Sequence, residues 1–90
     1  MEITLSPQEK KTEEKYFNNQ NKWLTIEPFK SNIQGLAMCL QDASGLSKRI
    51  PISDTEKSLK ENIGDFGYFW FEYLSTDKEY IITVIISNHS

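Results

Sequence analysis

Apolar residues are densest between Gly67 and Ser87, in two runs that flank a polar break. The first run contains Tyr68, Phe69, Trp70, Phe71, Tyr73 and Leu74. The second contains Tyr80, Ile81, Ile82, Val84, Ile85 and Ile86. Aromatic and β-branched runs around a polar stretch predict a β-hairpin. Side chains alternate faces along a strand, so loop length decides which residues share a side. A four-residue loop, Thr76 to Glu79, sets Ser75 opposite Tyr80. Phe69, Phe71, Tyr73, Tyr80, Ile82, Val84 and Ile86 then form one uncharged face. A five-residue loop would put Glu72 opposite Ile82 and spoil that face. The four-residue loop also suits a type I turn carrying Asp77.

The other face of this hairpin is too apolar for open water. It holds Tyr68, Trp70, Leu74, Ile81 and Ile85, with Glu72 opposite Thr83. Burying such side chains is worth roughly 1.5–3 kcal/mol each. A helix of the same chain, a second copy or another protein should cover it.

The remaining segments are less strongly patterned. Glu2 to Leu5 reads as a short strand. Ser6, Pro7 and Glu9 form a capping box with proline in the first helical position, which predicts a helix from Pro7 to about Asn19. Lys22 to Glu27 reads as a strand that Pro28 stops, and Phe29 to Gln34 as a loop. Gly35 to Gln41 is a strand with Leu36, Met38 and Leu40 on one side and Ala37 and Cys39 on the other. Asp42 to Gly45 is a turn. Leu46 to Ile52 returns with Leu46, Ile50 and Ile52 inward and Arg49 outward, and Pro51 places this strand at an edge. Ser53 to Glu56 is a second capping box, opening a short helix from Asp54 to Asn62 with Gly64 beyond its end. The order β-α-β-β-β-α-β-β predicts one α+β domain over residues 1–90. It would be a mainly antiparallel sheet of four to five strands with two helices on one face.

Composition narrows the chemistry. The 90 residues carry a net charge of −3, with 12% aromatic and 26% charged residues, ordinary values for a globular domain. Arg49 is the only arginine, and the acidic excess lies in residues 31–90. Neither a basic stripe nor a cluster of arginines favours nucleic acid, whereas a basic protein partner would suit the charge. Cys39 is the only cysteine and His89 the only histidine, so a zinc site of the usual nitrogen or sulfur type is excluded. With no signal peptide and no stretch long enough to span a bilayer, the expected location is the cytoplasm, away from membranes.

Each candidate reactive group has a plainer reading. His89 lies in a tail. Cys39 reads as a buried structural thiol in an apolar strand. Glu72, among aromatic residues, would have a raised pKa, but no second group is placed to share acid–base work. A hydrogen-bonded or partner-paired Glu72 outweighs a catalytic one. No catalytic set, metal site or cofactor site emerges, and the protein is read as a non-enzyme.

The functional expectation is a small cytoplasmic protein that binds another protein and occludes it. Inhibitors, immunity proteins, antitoxins and phage anti-defence proteins share its size and character. The expected contact residues are Tyr68, Trp70, Glu72, Ile81 and Thr83, with Asp65 and Asp77 at the rim, because tryptophan and tyrosine dominate interface hot spots. A structural homodimer formed across the same face is the alternative. A nucleic-acid binder or toxin-type nuclease ranks third, for want of a basic cleft.

Overall fold

A computed structural model describes residues 1–16, 23–52, 59–64 and 66–88. Every regular element among them is a strand: β1 (Glu2–Leu5), β2 (Lys15–Tyr16), β3 (Trp23–Ile26), β4 (Ala37–Gln41), β5 (Ser47–Pro51), β6 (Leu59–Asn62), β7 (Tyr68–Glu72) and β8 (Tyr80–Ser87). They build two four-stranded antiparallel sheets, β1-β8-β3-β6 and β2-β7-β4-β5. The expected α+β domain, with one sheet and two helices, is thereby corrected. A second sheet covers the first, where helices were expected.

The dominant apolar ribbon is not a hairpin. β7 pairs with β2 and β4, while β8 pairs with β1 and β3. After β7 the chain crosses from one sheet to the other. Tyr73 N–H donates to Lys10 O at 3.0 Å, and Leu74 N–H donates to Gln34 O at 2.8 Å. These bonds give to other segments the backbone groups of Tyr73 and Leu74 that lie next to the expected turn. The alternation along each strand nevertheless holds. Phe69, Phe71, Tyr73, Ile82 and Val84 are all buried in one core, because both sheets turn those positions inward. Leu5, Leu24, Ile26, Met38 and Leu40 complete its centre. Each such side chain contributes roughly 1.5–3 kcal/mol of burial.

The helix expected from Pro7 fails for a definable reason. Its capping signal makes a single turn, in which Glu9 N–H donates to Ser6 O at 3.2 Å. Residues 10–16 then run beside β7 as its outer neighbour. A helix there would expose charge on nearly every side and gain little from packing. Against β7 the same backbone closes a sheet edge. Lys11 lies opposite Glu72 and Lys15 opposite Phe69, so the outer segment holds one residue more than β7 between these pairs, a β-bulge. Thr12 serves it: its N–H donates to Phe71 O at 2.9 Å, and its Oγ1 accepts from Phe71 N–H at 2.9 Å. The expected helix end at residues 17–19 lies outside the described residues. So do Asp54 to Ser58 of the second expected helix; its last stretch, Leu59–Asn62, is strand β6.

The β4–β5 hairpin forms as the sequence predicts. Asp42 Oδ1 accepts from the N–H groups of Ser44 and Leu46, both at 2.9 Å, and Gly45 takes φ +92°. Pro51 ends the edge strand β5, where its missing N–H costs no ladder bond. Leu46, expected inward, is 65% exposed because it belongs to the turn that precedes β5.

Candidate functional site

The outer face of the β2-β7-β4-β5 sheet carries the candidate site. Register sets Trp70 opposite Cys39 and Cys39 opposite Arg49, in one row across β7, β4 and β5. The next row is Glu72, Ala37 and Pro51. Cys39 and Ala37 are small, so β4 forms a trough between its neighbours. Arg49 lies across it. Its Nη1 donates to Glu72 Oε1 at 2.6 Å and passes 3.8 Å from Cys39 Sγ. Trp70 Nε1–H donates to the other carboxylate oxygen, Oε2, at 2.8 Å. Lys11 Nζ stands 5.0 Å from the Trp70 ring centroid, a cation–π contact, and 3.5 Å from Glu14 Oε1.

Next to this network stand two tyrosines. Tyr16 and Tyr68 are cross-strand partners with ring centroids 5.4 Å apart and planes at 62°. Tyr16 is 70% exposed and Tyr68 37%.

The electrostatics follow from these contacts. The Trp70 indole N–H, then Arg49, hold the Glu72 carboxyl below its ordinary value despite partial burial. The expected rise in its pKa is reversed, because hydrogen bonds to the charged form outweigh desolvation. Both carboxylate oxygens are engaged, so Glu72 is an ionised anchor with a fixed geometry. Burial, then the Glu72 charge, push the Cys39 thiol up, which suppresses the nucleophilic thiolate. The arrangement sets a hydrogen-bonded polar network beside two exposed rings.

The seven residues expected at a binding surface do not form one patch. Tyr68, Trp70 and Glu72 lie on the outer face of β7. Trp70 is only 8% exposed, beneath side chains of its own sheet and with no helix over it among the described residues. Ile81 and Thr83 lie on β8, on the outer face of the other sheet. Asp77 sits in the loop before β8, where it accepts from Tyr80 Oη–H at 2.7 Å and from Asn32 Nδ2 at 3.2 Å. Those bonds hold its carboxyl below the ordinary value. Asp65 lies outside the described residues.

Sequence reasoning missed Arg49, Lys11 and Tyr16. Arg49 was legible in principle: the Asp42 turn fixes the hairpin register, which sets it across from Cys39. Lys11 and Tyr16 gave no such signal, since both lay in a segment with a helix-start signature. Among the described residues no group of three or more His, Cys, Asp or Glu converges to hold a metal, and no helix is long and apolar enough to cross a membrane.

Compared with known proteins, the chain matches no family model, and no curated protein or solved structure is significantly similar to it.

Proposed function

We propose that the protein acts by binding another protein through the outer face of the β2-β7-β4-β5 sheet, occluding that partner as small inhibitors and antitoxins do. The observation that carries this reading is the exposed Tyr16–Tyr68 pair beside the Arg49–Glu72–Trp70 network. Tyrosine, tryptophan and arginine are the residues enriched at interface hot spots. Tyrosine rings supply contact area at a small cost in side-chain entropy. The pre-set network lowers the ordering cost further. A basic patch on the partner would suit the net charge of −3, and a reducing cytoplasm would suit the single free thiol.

A nucleic-acid reading of the same rings is weaker. Lys11 and Lys15 are near Glu14 and Glu13 at 3.5 and 3.7 Å, so among the described residues no positive groove tracks the aromatic pair.

The test is capture from a lysate of the encoding organism, comparing wild type with Tyr16→Ala/Tyr68→Ala. A protein retained by wild type and lost from the double variant, with unchanged circular dichroism, supports the reading. Equal retention by both, or salt-sensitive binding of RNA or DNA, removes it.

A further inference from the structure

The outer face of the β1-β8-β3-β6 sheet is not used by the reading above. Its centre is methyl-rich: Ile81 and Ile85 are 55% and 45% exposed, Thr83 lies between them on β8, and Thr25 on β3 is opposite Ile85. Among the described strand residues of this face only two are charged. Glu2, on edge strand β1, is opposite Thr83. Lys60, on edge strand β6, is opposite Thr25. Both are exposed. Strands lie about 4.8 Å apart and rise about 3.3 Å per residue, which puts Glu2 and Lys60 about 16 Å apart at opposite corners of the face.

We infer that this face is a self-association surface whose occupant is a second copy of the chain. A twofold axis lying in the face, at right angles to the Glu2–Lys60 diagonal, stacks two such faces on each other. Glu2 of each copy then meets Lys60 of the other, twice, around the Ile81–Ile85 centre. A partner of one charge sign would satisfy one corner and oppose the other, whereas a second copy satisfies both. The axis passes near Glu27, which directly follows β3, is exposed, and donates its N–H to Thr83 O at 3.0 Å. Two like charges therefore approach each other at the dyad. With a small face, this makes the dimer weak, with Kd on the order of 10–100 µM. The inference is independent of the tyrosine face.

Sedimentation equilibrium of the intact chain up to roughly 1 mM tests it. Wild type should dimerise in the range above. Glu2→Lys and Lys60→Glu should each weaken association about tenfold or more, since each sets like charges together at both corners. The double variant E2K/K60E should recover it. Glu27→Gln should tighten it, and Tyr16→Ala/Tyr68→Ala should leave it unchanged. A wild type that stays monomeric overturns the inference. So does association indifferent to the single reversals, failure of the double variant to recover, or loss of association in the tyrosine variant.

Discussion

Thr12 bonds Phe71 twice, giving its own N–H to the Phe71 carbonyl and accepting the Phe71 N–H on its hydroxyl oxygen, both at 2.9 Å. A side chain thus stands in for the backbone acceptor that the bulge displaces. Thr12 is 5% exposed, so water cannot substitute. Thr12→Val keeps the shape and removes the acceptor, leaving a buried N–H unpaired at a cost of about 1–3 kcal/mol. Thr12→Ser should retain most of the stability. Urea denaturation of the three proteins decides; equal midpoints for wild type and the valine variant would refute the assignment.

Tyr73 ties the crossing segment to the end of β1. Its Oη accepts from Ser6 N–H at 2.9 Å and donates to Ser6 O at 2.8 Å. Tyr73→Phe should cost about 1–2 kcal/mol at neutral pH. Burial raises the phenol above its ordinary value of 10.0. The neutral form is the one the fold favours, so its contribution is complete below that value and lost as pH rises through the higher folded one. The gap between wild type and the phenylalanine variant should narrow above about pH 10, read as melting temperature against pH.

Glu72 titrates in the opposite sense. Its folded pKa lies below the ordinary 4.5, with the Trp70 N–H as the first cause and Arg49 next. The stabilisation is present above that value and disappears as pH falls through the lower folded one. Wild type should be more stable than Glu72→Gln near neutrality, and the two curves should merge under acid. A difference that stays constant down to about pH 3 would count against the ion network.

Gly35 has φ +68°, and a Cβ there would lie 2.8 Å from Leu74 Cγ. Gly35→Ala should destabilise the domain by about 1–2 kcal/mol from the left-handed backbone alone, with the contact added. Leu74 is 71% exposed and its side chain can swing aside. Gly35→Ala/Leu74→Ala should therefore recover the steric part only. Full recovery in the double variant would show that the backbone carries no strain.

Alternation was the most readable property of this sequence. Phe69 and Phe71 on β7 and Ile82 and Val84 on β8 each follow the alternation of their own strand, though they meet across two sheets and not on one hairpin face, and the Asp42–Gly45 turn sits where its residues place it. Pairing was not readable. Parity gives a strand an inside and an outside, but it does not say which strand lies beside it. Two apolar runs separated by a short polar stretch fit a hairpin, and equally fit a step between opposed sheets. The bonds that select the second, from Leu74 to Gln34 and from Tyr73 to Lys10, join segments far apart in sequence. The capping box at Ser6 misled for a related reason. A local signal starts a turn, and only tertiary burial decides whether a helix follows. With the helix assignment went Tyr16 and Lys11, and with them the part of the candidate site that lies outside β7, β4 and β5.

The pairing of β1 with β8, Glu2 across from Thr83, has a kinetic consequence. β1 can find its neighbour β8 only after every strand between the two has been synthesised. Until then its apolar residues Ile3 and Leu5 have no ladder to join, and the sheet completed by β8 cannot close. Loop-closure entropy on this scale slows assembly relative to domains built from nearest-neighbour hairpins.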